Sequence, residues 1–489
     1  MKLLFAFAAL WCLTLAPVRS TDWPTFGFDS ARSSYNSAEK VLSKANVAQL
    51  HELWQISLGN VADSTPILLA HVHAGSQNLA VLFQTTKGGT TYAVEAKSGT
   101  ILWKYATSGP GITTSTPVAD MSRGVLFVPG VDGYVHELNP ATGAELTGTG
   151  FPAQITLIPN SEKDASSLNL ANGYLYATTS GYIGDAPPYD GHVVAVRLKD
   201  GKTTVFNSLC SNLKSLPTAS SCPEQRSGIW ARSGAVVDPD PSMQGRVYAS
   251  TGNGEFNATR GGEDYGDSIL SLKRNLSQLL DYYTPGDNRK LDDDDVDLGS
   301  TAAGMLPTQP NSATPLMMVQ AGKDGKLRLL DRTHLGGING EMQKVTLPDG
   351  VWSAPAVWTD SSGTAHVYIG FSNSLQSYVL ETNSSGVSRI HARWSAALSG
   401  TSQEGTSPVV ANGMVFVATG GAIEAFDAMN GKLLWSSAQS GSGGSIGAIH
   451  WQSPIVVDGS VYCSDENGNL TAYALPASQA RKRNPRQRR

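Results

Sequence analysis

The sequence predicts an all-β fold, an eight-bladed β-propeller of four-stranded antiparallel blades whose ring is closed by N- and C-terminal strands. Three observations carry this expectation. One unit recurs along the chain: Ser/Thr-x-Pro with a short apolar run, a Val/Tyr-rich strand, a Gly-containing turn, and an alternating strand ending in Gly and often Trp. Gly (51) and Pro (25) are plentiful while only 16% of residues are charged, which suits many short strands joined by turns. Within the units, apolar and polar residues alternate, as half-buried strands require.

The clearest copies of the unit are "YAVEAKSGTILW" (92–103), "YVHELNPATGAEL" (134–146) and "IEAFDAMNGKLLW" (423–435). Looser copies end units around 193–206, 268–283, 327–341 and 375–394. The start signals agree: "STP" at 64 and 115, "SAP" at 353, "TSP" at 406 and "QSP" at 452. Their spacing lies near the roughly 40 to 50 residues of a four-stranded blade. One such sheet cannot bury both faces alone, so the units must stack around an axis. Seven units start near 64, 115, 166, 233, 299, 353 and 406. The last segment (453–475) lacks an outer strand, and "LHELWQISL" (50–58) can supply it and make an eighth blade. A seven-bladed ring with a separate N-terminal extension is the alternative.

Residues 1–20 read as a secretory signal peptide: Met1 and Lys2, then an apolar run from Leu3 to Leu15, then small residues before Thr21. That run is too short to span a bilayer, and no later stretch is long enough. Residues 21–476 are expected to form the propeller as a single domain, and residues 477–489 a basic, disordered tail. The tail from Arg481 to Arg489 carries six Lys or Arg. The formal charge of −5 therefore conceals a distinctly acidic body, without the electrostatic footprint that nucleic acid needs. Cys210 and Cys222 bracket one loop and are expected to pair, while Cys463, in "SVYCS", reads as a buried thiol. No CxxCH haem attachment site, HExxH zinc motif or GxSxG elbow occurs.

The start of the body, "DWPTFGFDSARSSYN" (22–36), and a denser run from Cys210 to about Gly340 resemble the pyrroloquinoline-quinone (PQQ) repeat proteins, in particular the quinoprotein alcohol dehydrogenases. The denser run includes "SGIWARSGAVVDP", "RVYASTGNGEFNATRGGEDYGDSILSL", "LDDDDVDLGSTAAGMLP" and "AGKDGKLRLLDRTHLGG". The resemblance implies PQQ near the propeller axis on a tryptophan floor, a calcium ion held by Glu, Asn and often Asp, and an Asp as base toward an alcohol. A hard cation takes oxygen ligands and polarises a carbonyl, and the carboxylate removes the alcohol proton. Carried over residue by residue, Asn253 stands at the calcium Asn and Lys323 at the basic residue that contacts the quinone. Asp297 and Asp295 fall in range of the base, with Asp297 also in range of the metal. Trp230 is a candidate floor, and the neighbouring Arg232 can pair with a carboxylate bidentately. Two departures stand out. The calcium Glu falls near Ile183, with Asp185 the nearest acid, and no two cysteines are neighbours, so the family's vicinal disulfide is absent.

Two functions therefore stand open: PQQ-dependent oxidation of an alcohol or polyol, with electrons passed to an external acceptor, and a non-catalytic propeller acting as a binding or assembly scaffold. The run Asp292–Asp295 is either a calcium site or a solvated acidic loop.

Overall fold

A computed structural model describes residues 20–148, 150–182, 186–439, 441–442 and 444–476. The expected signal peptide, the basic tail, Ile183 and Asp185 lie outside the described residues, except for Ser20. Eight antiparallel sheets follow one another around a ring. The first-strand starts track the repeated motif. Ser64 precedes Ile67–Ala74, Ser115 precedes Val118–Asp120, Ser233 precedes Val236–Val237, Ser353 precedes Ala356–Thr359 and Thr406 precedes Val409–Ala411, each by three residues.

The motif's hydroxyls explain why it recurs. Thr65 N donates to Thr116 Oγ1 at 2.9 Å, Ala354 N to Ser407 Oγ at 2.9 Å, and Ser407 N to Ser453 Oγ at 3.2 Å. Each bond ties a blade to the next where the inner strands crowd the axis and backbone donors would otherwise be orphaned. The Gly and Trp of the repeat form a matching lock at the rim. Trp54, Trp103 and Trp394, on outer strands, donate through Nε1 to Ala96 O (3.1 Å), Pro140 O (3.0 Å) and Ala428 O (3.0 Å) of the following blade. Gly99, Gly143 and Gly431 adopt positive φ beneath those rings, and a Cβ there would lie 2.6 to 2.8 Å from the indole. Glycine is thus required twice, for the turn and for the close approach.

The ring closes as the sequence predicts. His51–Ser57 pairs antiparallel with Asn469–Ala474, completing the eighth blade begun by Ile455–Val457 and Ser460–Ser464. The seven-bladed alternative is excluded. Two further chain segments add parallel edges: Tyr35–Asn36 on Val409–Ala411 and Gly337–Ile338 on Leu279–Thr284. The acidic run forms a short helix, Asn288–Asp294, stopped by Asp295 in the left-handed conformation (φ 54°). Among the described residues no helix is long and apolar enough to cross a membrane.

Candidate functional site on the propeller axis

In a ring of antiparallel four-stranded blades, the loops joining second to third strands, and each blade to the next, emerge on one face. Nine such loops converge here on a cavity of ≈ 460 Å³, bordered by Trp230, Trp352 and Trp451 and by several ionised side chains. Five of the predicted residues meet in it. Trp230 Nε1 donates to Asp297 Oδ2 at 2.9 Å, and Lys323 Nζ donates to Asp297 Oδ1 at 2.8 Å and Asp295 Oδ1 at 3.2 Å. Asn253 Nδ2 donates to Asp295 Oδ1 at 2.6 Å, and the Asn253 backbone N–H lies 3.4 Å from Asp297 Oδ2. With its amide nitrogen held by Asp295, Asn253 presents Oδ1 as a buried acceptor without a partner among the described residues. Gly252 makes this approach possible, because a Cβ there would stand 2.3 Å from Asp297 Oδ2.

The electrostatics follow from burial and pairing. Burial works against the Lys323 ammonium, but Asp297 and Asp295 outweigh it and raise its pKa. Lys323 therefore stays charged, 5.1 Å from the Trp230 ring centroid. Beneath Asp297, burial and the Asp297 charge push Asp267 well above the usual carboxylate range. Asp267 is thereby favoured as the neutral acid, while Asp297 has Lys323 as its counter-ion. Asp295 is the exposed member, its side chain 70% accessible.

Arg232 is buried outside the cavity lining. It donates to the backbone oxygens of Asp63 and Thr114 and packs 5.1 Å from the Trp451 ring. No carboxylate lies within salt-bridge distance of it among the described residues. Burial lowers its pKa to about 10, which leaves it charged at neutral pH. Asp292 from the acidic helix pairs with Arg226 at 2.9 Å. Among the described residues the aspartate run does not gather three carboxylates into one ligand sphere. Cys210 and Cys222 are joined as expected, with Cα atoms 5.9 Å apart, and Cys463 is free and buried.

Sequence reasoning missed the opposite wall. His450 stacks on Trp451 (4.3 Å, 16°), and its ring nitrogens face Asp63 at 3.7 Å and Glu404 at 3.6 Å. Burial opposes the imidazolium, yet these two carboxylates raise its pKa to about 9. Glu404 is held below its ordinary value despite burial, by His450 and by the Trp451 indole N–H. Asp63 is likewise depressed against burial, by His450, Lys87 and Arg232. Asp63, His450 and Glu466 lie close enough together to share a metal ion, but Lys87 Nζ already stands 2.8 Å from Asp63. A signal was present: Trp230, Trp352 and Trp451 each precede a repeat-start Ser (Ser233, Ser353, Ser453) by one to three residues.

An eight-bladed propeller with an axial, aromatic-walled, ion-paired cavity defines the class. A family model described as "Outer membrane protein assembly factor BamB" matches residues 38–278 and 385–487, more than half of the chain. The chain belongs to this PQQ-repeat, quinoprotein-like propeller family. It is 24% identical over 346 residues to a quinohemoprotein alcohol dehydrogenase of Comamonas testosteroni, covering 65% of this chain and 46% of the relative. It is 25% identical over 354 residues to quinohemoprotein alcohol dehydrogenase ADH IIB of Pseudomonas putida, covering 65% and 48%. The aligned region thus spans about half the length of the curated relatives. The solved structure of the Comamonas testosteroni enzyme matches with a TM-score of 0.65 at 16% identity, over 96% of this chain and 82% of that one. A europium-containing methanol dehydrogenase matches at 0.64 and 15%, over 93% and 98%. At these identities the structural likeness shows the fold.

Proposed function

We propose that this chain is an exported, periplasmic or secreted quinoprotein that binds PQQ and calcium in the axial cavity and oxidises a small alcohol or polyol, passing electrons to a separate acceptor. The observation that carries the reading is the Asn253 Oδ1, buried without a partner among the described residues beside the Asp297 carboxylate. A neutral oxygen next to an anionic one is a donor pair suited to a hard cation. Three tryptophans and the Lys323 ammonium suit a planar anion. When bound, PQQ supplies a two-electron sink for the hydride of the alcohol.

The chain's own residues do the rest. Asp297 accepts the hydroxyl proton. Lys323 is the counter-ion of Asp297 and fixes its plane. Asp295 orients the Asn253 amide so that its oxygen, not its nitrogen, remains available, and is the alternative base at the exposed edge. Arg232 supports Trp451 from beneath. Asp185 is assigned as a further metal ligand in place of the family's Glu.

The test is titration of the mature protein with PQQ, with and without calcium, following cofactor absorbance and the thermal midpoint. Calcium-dependent binding, lost in Asn253→Ala, supports the reading. Absence of binding in both conditions refutes it and leaves the scaffold reading, toward which the missing vicinal cysteines point.

A further inference from the structure

The opposite face of the ring carries a different chemistry. Turns joining first to second and third to fourth strands emerge there, and in the second to fourth blades they enclose two adjoining cavities of ≈ 680 and ≈ 430 Å³. Arg274 borders both. Arg246 and Lys273 line the larger, and Arg123, Arg197 and Lys199 the smaller. Six cations in one patch stand out on a chain with a formal charge of −5. Arg123 and Arg197 are paired, with Glu137 (2.8 Å) and Asp200 (2.6 Å). Lys199, Arg246, Lys273 and Arg274 have no carboxylate within salt-bridge distance among the described residues, and Lys199, Lys273 and Arg274 are exposed.

Large apolar side chains are interspersed with these charges: Leu280, 37% exposed, lines the larger cavity, and Met121, 50% exposed, shares the turn of Arg123. Monomer surfaces do expose single apolar residues, but here Leu280 shares its cavity with the unpaired guanidinium forks of Arg246 and Arg274. Those forks match carboxylates in plane and in number of donors. A polysaccharide or nucleic acid would satisfy the charges and leave the apolar groups uncovered. We infer that this face docks an acidic peptide segment of a partner protein, its carboxylates on Arg246 and Arg274 and its apolar side chains over Leu280 and Met121. Because the axial cavity opens on the other face, docking leaves that cavity accessible, and the inference does not depend on the proposed cofactor.

The probe is a fluorescein-labelled twelve-residue peptide of repeated Glu-Glu-Leu, titrated into the full chain while anisotropy is read at low and high salt. Wild type should bind with an affinity that falls with salt, and Arg246→Glu/Arg274→Glu should weaken binding at least tenfold at an unchanged thermal midpoint. Lys199→Glu/Lys273→Glu provides a second, independent reversal should the first fail to fold. The basic tail is common to all these proteins, so only their difference reports on the patch. Equal affinity of wild type and both variants would overturn the inference, as would no binding by wild type. Undiminished binding of a Glu-Glu-Ser peptide, or tighter binding of a heparin oligosaccharide, would overturn the assignment to a peptide.

Discussion

His450 couples the stability of the ring to pH through a single imidazole. Its folded pKa of about 9 lies above the ordinary value of 6.5 because Asp63 and Glu404 flank it. A raised pKa stabilises the fold fully below the unfolded value, and the contribution disappears as pH rises through the folded one. The window is therefore about pH 6.5 to 9. At full strength the difference is worth about 3 kcal/mol. The ring borders an open cavity, so screening reduces this to about 2 kcal/mol. For a chain of this size, with unfolding entropy near 2.1 cal/mol/K per residue, that corresponds to about 2 °C in thermal midpoint. The perturbation is His450→Gln, which keeps a hydrogen-bonding group but removes the titration. Thermal midpoints of both proteins should be read from pH 6 to 9.5, with a ¹³C-imidazole NMR titration in which the variant identifies the His450 resonance. Wild type should exceed the variant at pH 6 and lose that advantage by pH 9.5, while the resonance titrates well above 7. Parallel midpoint profiles, or a resonance titrating at or below 6.5, would refute the reasoning.

Other parts of the structure make separate demands. Asp297→Asn, measured at saturating calcium and cofactor, should lower turnover of an alcohol with an artificial acceptor by about 10² or more, the usual scale for a lost general base; unchanged turnover would exclude Asp297 as the base. Arg332 and Asp238 form a buried pair at 2.8 Å, so Arg332→Met should cost about 3 to 5 kcal/mol by stranding a carboxylate, measurable by calorimetry. Breaking Cys210–Cys222 with a Cys222→Ser change should lower stability by about 3 kcal/mol for its short loop, seen as a reduced midpoint matched by adding reductant to wild type. Gly143→Ala, which puts a Cβ against Trp103, should destabilise more than Gly124→Ala, which meets open space at a similar positive φ. About 1 to 3 kcal/mol of overpacking separates them.

The fold was legible because its determinants are local and repeated. The Ser/Thr hydroxyl that joins each blade to the next, and the Gly beneath the indole, must recur wherever the same junction recurs, and so they print a period on the sequence. The cavity was only half legible for the converse reason. Asn253, Asp297, Lys323 and Trp230 sit in segments with their own recognisable motifs and do come together. His450 and Glu404 lie in loops that flank one blade, and Asp63, the second carboxylate of the group, reaches His450 only because the ring closes. Arg232 turns donors toward the backbone carbonyls of Asp63 and Thr114, a choice that packing makes and spacing does not reveal. The acidic run likewise resolves into a short helix, where Asp292 turns to Arg226 and Asp295 to Asn253.

The closing blade carries a consequence for how the molecule comes into being. Among the described residues His51–Ser57 finds its only ladder partner in Asn469–Ala474, and the side chains of Gln55 and Thr471 meet across 416 positions of chain. The strand that leaves the ribosome first among the blades is thus the last to be satisfied, and must wait with an unpaired edge while seven sheets accumulate behind it. Contacts of such separation are slow to form, and the waiting edge is open to capture. Synthesis order therefore acts as a latch. Until residue 474 has been delivered, the polypeptide remains an open arc that can still be threaded or held by a chaperone, and the final hairpin converts it into a ring with no free end from which to unravel.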